Sequence, residues 1–479
     1  MAQALPHLTA QPHSVDVDAL LDSGPLSALS LGVAVCAAVI LILDGFDIQV
    51  IGFAAPALLV DFGVERSALA PALAASLGGM AVGAAGIGAF GDRCGRRPAL
   101  ILSTLVFGWS TLLAASATSI ESLAWWRFVT GAGLGGALPT ATALMAEYAP
   151  RQARPKAIGL ALVGVPIGGI VGATLAAEIV PAYGWRALFV VGGVLPVAAA
   201  AVMFFVMPES PRFLATRGLE PNRLAALLNR VVGESRYTGE HRFVTSSATQ
   251  MGRAAGARAL FGAELRWDTL MTSLVFLTNI FAVYAFFNWA PLVLTSLGLD
   301  LATAVRGALA FNLAGVIGSV ATAWCIAYLG SRGTLAGFAL TAALAVGWLG
   351  WQALAARGPT HPPALPALMI GIALAGLAIS AVQVGMYAVA AHVFPTGCRA
   401  SGVGFALGSG RLGGILSAFA GGLLLAHGAA AGFFAGVASV LTLTFITVLL
   451  IRRHIDAPST TDPAPGDRAR RELPGARLR

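Results

Sequence analysis

Lysine is almost missing from this 479-residue chain; Lys156 is the only one. Charge of either sign is sparse at 11%, where soluble domains carry about 25%. Hydrophobic residues make up 57% and the mean hydropathy is +0.80. That composition excludes a row of ordinary soluble domains and fits a membrane bundle. Four cysteines (Cys36, Cys94, Cys325, Cys398) lie scattered with no CxxC spacing, so neither a metal site nor a disulfide framework follows. No GxxxxGK[ST] loop is present, which argues against an ATP-driven pump, and no catalytic domain is evident. The first residues, Met1 to Ser23, hold no lysine or arginine and so lack the basic region of a cleavable signal peptide. They are expected to stay as a cytoplasmic tail.

What the chain does have is apolar runs of membrane-crossing length. They predict an all-α integral membrane protein with twelve transmembrane helices in two six-helix halves. The expected bounds are a tail at 1–24, a first bundle at 25–207, a linker at 208–266, a second bundle at 267–452 and a disordered tail at 453–479. Within the bundles the spans are expected at 25–53, 67–90, 99–118, 123–145, 157–180 and 186–207. Those of the second are at 267–292, 303–329, 334–354, 364–391, 401–426 and 431–451. Short loops assigned to the inner side carry eight basic residues and outer ones four, and the linker carries nine arginines. By the positive-inside rule both termini and the linker are cytoplasmic, and the +8 net charge reflects orientation rather than nucleic-acid binding. Two halves around a basic linker fit an internal parallel repeat with a midplane site at their interface. In the linker, Leu224 to Val232 reads as helical.

The first span carries two acids, Asp44 and Asp47, in Leu41-Ile-Leu-Asp-Gly-Phe-Asp-Ile-Gln-Val-Ile-Gly-Phe-Ala-Ala-Pro56. Spaced i, i+3, they share one helix face. A carboxylate at this depth is costly to ionise, which makes it a candidate proton carrier. A structural pair neutralised by arginine or water is the alternative. In the fourth span, Arg127 precedes Gly131, Gly133, Gly135 and Gly136. It either snorkels to the outer interface or partners Asp44, Asp47 or an anionic substrate.

The second half offers Tyr284, Asn288, Asn279 and Trp289 on the seventh span and Gln383 with Tyr387, at i and i+4, on the tenth. Arg411, about 15 Å into the eleventh span, is the sharpest of these: it either meets a substrate carboxylate or serves a gate, or it is paired structurally.

Gly88, Asp92, Arg93, Gly95, Arg96, Arg97 and Leu100 resemble the loop 2–3 signature of the major facilitator superfamily, with Phe90 in place of its leucine. The resemblance implies that this loop locks the cytoplasmic gate, and Glu147 is either its partner or a solvated helix-end acid. Tyr328-Leu-Gly-Ser-Arg-Gly333, in the equivalent place of the second half, has lost the acid, which points to a weaker lock there. Pro166 breaks the pattern of proton-drug antiporters.

One branch is resembled throughout, the aromatic acid–proton symporters. The residues are Asp44-Gly-Phe-Asp47 with Gly52-Phe-Ala-Ala-Pro56, Arg127 through Met145-Ala-Glu-Tyr-Ala-Pro150, Asn288-Trp-Ala-Pro291, Phe311-Asn-Leu-Ala-Gly-Val-Ile-Gly318, and Gln383-Val-Gly-Met386 through Gly410-Arg-Leu-Gly-Gly414. Thr140 and Tyr387 stand where asparagines are often found, and Ser417-Ala-Phe-Ala420 lacks the usual Gly-Pro. The resemblance implies a bacterial inner-membrane importer of benzoate-like carboxylates, monomeric, coupled to protons and needing no cofactor. Asp44 and Asp47 would carry or shape the proton path, Arg127 tune them, Arg411 attract the carboxylate, and Gln383 and Tyr387 read ring substituents. The alternatives are a porter of dicarboxylates, sugars or organic cations, an exporter, and a sensor that binds aromatic acids without moving them.

Overall fold

The computed structural model describes residues 14–24, 27–151, 153–154, 157, 159, 163–218, 220–245, 260–356, 363–395 and 398–456. The expected start at Pro25, Lys156, Arg253, Arg258, Arg357 and the tail beyond residue 456 lie outside them.

Ten helices among the described residues are long and apolar enough to cross a membrane. Two are too long for one crossing. Gly164–Val206 has 43 residues and Leu301–Ala355 has 55, about 65 and 80 Å at 1.5 Å per residue against roughly 30 Å of hydrocarbon. Each folds back at a glycine in the left-handed region, Gly184 (φ 78°, ψ 170°) and Gly330 (φ 72°, ψ 169°). Among the described residues the count of crossings is therefore twelve. Spans 5 and 6, and spans 8 and 9, are joined through a kink rather than through a polar loop. Ala429 makes the same kind of turn (φ 50°, ψ −151°) between spans 11 and 12, at a steric cost that glycine would avoid.

Span 1, Ala28–Phe62, is defined at both ends by its own residues. The Ser27 hydroxyl caps the Ser30 N–H, and Gly63 closes the helix in left-handed conformation with its N–H on the Leu59 carbonyl. Span 2, Ala70–Cys94, and span 4, Ile120–Tyr148, pack backbone to backbone. Gly79 and Gly83 face Phe128 and Ala132, and Gly131 and Gly135 face Ser76 and Met80, so closely that no added methyl fits.

The chain divides into two compact units. The first holds Met1–Arg253 with two later segments, Phe286–Leu309 and Ala418–His427. Inside it, the span 1 backbone at Gly52 meets that of Phe287 and Asn288. The fully buried Trp289 indole lies against Gly421 and Gly422. The second unit holds Ala254–Ala285, Ala310–Ser417 and Gly428–Arg479, with Phe276, Leu335, Val382, Val389 and Phe394 in its core.

Residues 14–24, before span 1, are folded. Strand β1 (Ser14–Asp16) pairs in parallel with strand β2 (Arg242–Val244) of the linker. The short helix Val17–Ser23 sets Asp18 against Arg212 at 2.8 Å, and Asp22 against Arg154 at 2.5 Å and Arg212 at 3.2 Å. The linker helix spans Pro221–Val232, close to expectation, and buries Leu224, Leu227, Leu228 and Val231.

Candidate functional site

In the first unit Asp47 of span 1 meets Arg127. Asp47 is 0% and Arg127 1% exposed, so this arginine does not snorkel to an interface. Its Nη1 donates to Asp47 Oδ2 at 2.8 Å, and Nη2 donates to the Asp47 carbonyl at 3.1 Å and to Ser76 Oγ at 3.4 Å. The other carboxylate oxygen accepts the Thr111 hydroxyl at 2.7 Å. Donors from spans 3 and 4 thus engage both oxygens of this carboxylate on span 1. Asp44, one turn earlier and also buried, lies outside this set of Arg127 bonds. Of the two candidate partners, Arg127 holds Asp47.

The second unit places Asn279, Gln383 and Tyr387 in a chain. Asn279 Nδ2 donates to Gln383 Oε1 at 2.9 Å, and Gln383 Nε2 donates to the Tyr387 oxygen at 3.3 Å. With that oxygen occupied as an acceptor, the Tyr387 proton is directed onward. The ring is held edge-on against Phe276, centroids 5.4 Å apart, and the Arg411 guanidinium is near enough to act on the phenol electrostatically. Arg411, Gln383, Tyr387 and Tyr284 all belong to this unit, whereas Asn288 belongs to the first, packed at Gly52.

The loop between spans 2 and 3 forms a third cluster. Arg96 pairs with Asp92 at 2.9 Å and reaches Glu147 at 3.8 Å. Glu147 also accepts from the Ser210 hydroxyl, so it is a partner and not a solvated helix end. The centre of the cluster is Glu209, which the sequence did not single out. Its Oε1 accepts the N–H groups of Arg96 and Arg97 at 2.9 and 3.1 Å, capping the start of span 3 (Arg96–Ala114). Gly95 (φ 111°) permits the approach, because a side chain there would strike this carboxylate. The available signal was an acid directly after span 6, in Pro208-Glu-Ser-Pro-Arg212. Arg97 turns to the Phe204 carbonyl and ring. Arg93 is exposed and makes no hydrogen bond or ion pair among the described residues, and Gly88 faces open space.

The second half replaces this lock with a backbone clasp. Ser331 N–H donates to the Ile455 carbonyl at 2.8 Å, and the Ile455 N–H donates to Ser331 Oγ at 2.8 Å. Asp268, at the start of span 7, accepts the Arg452 N–H at 2.8 Å and pairs with Arg453 at 3.7 Å. Residues 453–456, expected to be disordered, are thus part of the fold.

No group of three or more His, Cys, Asp or Glu side chains able to hold a metal occurs among the described residues. The family profile of the Major Facilitator Superfamily matches residues 37–360. The chain is 33% identical to the 4-hydroxybenzoate transporter PcaK of Acinetobacter baylyi, over 87% of its own length and 90% of that protein's. It is also 33% identical to the gallate transporter of Pseudomonas putida, over 86% and 90%. A benzoate transport protein of Acinetobacter baylyi is 26% identical over 94% and 95%. Among solved structures, the xylose transporter XylE of E. coli superposes with a TM-score of 0.70 over 90% of this chain and 100% of that one. At 16% identity that likeness shows the fold alone.

Proposed function

The chain belongs to the Major Facilitator Superfamily, and from that premise we propose that it imports small aromatic carboxylates of the benzoate and hydroxybenzoate class together with protons. It is a multi-pass membrane protein and not an enzyme. The bacterial inner membrane, cytoplasmic termini and a monomeric state complete the reading, the first supported by the bacterial relatives and the second by the arginine distribution. The observation that carries the proposal is the saturated Asp47–Arg127 pair.

With Arg127 bonded to its carboxylate and its carbonyl, Asp47 acts as the fixed member of the pair of acids. Asp44, one turn away on the same face, is the acid that takes up and releases the coupling proton. The substrate carboxylate is met by Arg411 and by the Tyr387 hydroxyl, which Asn279 and Gln383 turn outward. A monovalent anion carried with one proton moves no net charge and follows the pH and substrate gradients. Each additional proton would add about 2.3 kcal/mol per 100 mV of membrane potential. The Asp92, Arg96, Glu147 and Glu209 cluster acts as the cytoplasmic lock that must open and re-form in each cycle.

The test is uptake of labelled 4-hydroxybenzoate by cells expressing the protein, with a protonophore control and Asp44→Asn alongside. Protonophore-sensitive uptake that Asp44→Asn abolishes, with the variant inserted at normal level, is the expected result. Absence of uptake by well-inserted protein across a panel of aromatic acids would overturn the substrate class. Full uptake by Asp44→Asn would overturn the coupling role.

A further inference from the structure

A cleft of about 490 Å³ opens in the second unit, at the turn between spans 8 and 9. Arg332, His392, Arg452, Arg453, His454 and Asp456 line it. The proposed proton and substrate path does not run through these residues, and hydrogen bonds tie the walls of the cleft together. The Ser331–Ile455 backbone pair closes one wall. The Ser331 hydroxyl bonds His454 Nδ1 at 3.1 Å, and His454 Nε2 bonds the Val448 carbonyl at 3.1 Å. Burial and the nearby Arg332 charge lower the basicity of this imidazole, so it is a neutral wall rather than a cation.

Charge in the cleft is set by the arginines. Asp268 takes Arg453. Arg332 donates to the Leu449 carbonyl at 3.2 Å, and Arg452 lies 5.4 Å from the Trp267 ring centroid. Neither has a carboxylate within ion-pair distance among the described residues. Both guanidinium groups keep donors available at an exposed mouth, with Asp456 as the one acid lining it.

The remaining wall identifies the ligand. Leu329 lines the cleft and is 66% exposed on the outer surface of span 8. It continues an exposed aromatic pair, Trp324 (68%) and Tyr328 (60%), with centroids 4.8 Å apart. Such rings, at the end of a span and beside arginines, are the composition of the lipid–water interface. A basic pocket opening onto that surface suits a phosphate that carries acyl chains.

We propose that this cleft binds an anionic phospholipid, its phosphate between Arg332 and Arg452 and its acyl chain along Leu329, Tyr328 and Trp324. The bound headgroup bridges the span 8–9 turn to the segment after span 12, and so fastens the clasp.

The test uses the full chain, purified and delipidated. Retention of phosphatidylglycerol and of phosphatidylcholine is measured by native mass spectrometry, and thermal stabilisation by each lipid and by inorganic phosphate is measured in parallel. The expected result is retention of phosphatidylglycerol about tenfold above phosphatidylcholine. That preference should be lost in R332Q/R452Q and kept in R236Q, a linker arginine outside the cleft. W324A/Y328A should weaken retention of both lipids while leaving the arginine-dependent preference. An unchanged preference in a monodisperse R332Q/R452Q protein would overturn the site. Stabilisation by inorganic phosphate equal to that by phosphatidylglycerol would overturn the lipid assignment.

Discussion

Thr111 donates its hydroxyl to the one oxygen of the Asp47 carboxylate that Arg127 leaves open, at 2.7 Å from the third span to the first. The anion is thereby closed on both sides by groups that cannot retreat to water. Removing one member strands the others, whereas removing the charge pair together does not.

Asp47→Ala and Arg127→Ala are each expected to destabilise the protein by about 3–5 kcal/mol, and Thr111→Val by about 1.5–3 kcal/mol. The double variant D47N/R127Q should recover much of that stability while remaining inactive. Thermal unfolding of the purified proteins beside an uptake assay separates the two effects. A D47N/R127Q protein less stable than either single variant contradicts the pairing.

Accumulation and exchange should part company at Asp44. Asp44→Asn is expected to retain counterflow exchange of labelled 4-hydroxybenzoate across loaded vesicles while losing gradient-driven uptake. Arg411→Ala should lose both, because the substrate itself is no longer held. Loss of exchange in a folded Asp44→Asn protein would make this residue part of the substrate site.

In the proposed reading Asn279 acts on substrate only through Gln383 and Tyr387. Asn279→Leu and Tyr387→Phe should each raise the KM for carboxylates about tenfold, one charge-assisted hydrogen bond's worth, at nearly unchanged maximal rate. Their combination should be no worse than Tyr387→Phe alone, since the residues act in series. Additive losses in the transport kinetics would refute the relay.

At the first gate loop, Gly95→Ala forces a methyl group into the Glu209 carboxylate. It should cost more than Glu209→Gln, which keeps an acceptor but loses charge at the start of span 3, about 1 kcal/mol. Comparing melting temperatures and uptake rates of the two variants checks the order.

The clasp has a pH signature. Burial, with the Arg332 charge, holds the His454 imidazole below its usual value of 6.5. Below pH 6.5 the unfolded chain then binds a proton that the folded one refuses. The stability contributed by His454 is complete above that pH and declines as pH falls towards the lower folded value. The decline in melting temperature from pH 8 to pH 5.5 should be smaller in His454→Gln. An identical decline would mean that other groups dominate.

Much of this was legible in sequence because the bilayer enforces long apolar runs, and because an acid or arginine within one stands out. Asp44, Asp47 and Arg127 were visible for that reason, although only coordinates show that Arg127 selects Asp47. Glu209 was hidden since an acid after a span looks like ordinary linker, and its role depends on backbone N–H groups more than one hundred residues away. The clasp at Ser331 and Ile455 is mostly main-chain bonding, which leaves little mark on residue type. Asn279 drew attention as a polar residue in span 7, but its direction towards Gln383 is a property of helix packing.

The pairing of Ser14–Asp16 with Arg242–Val244 also sets an order of assembly. The first strand leaves the ribosome before any membrane span has been made, and its partner emerges only after six have been inserted. Strand Ser14–Asp16 must therefore wait, unpaired, through the synthesis of the whole first half. Its closure onto the linker marks the moment at which that half is complete.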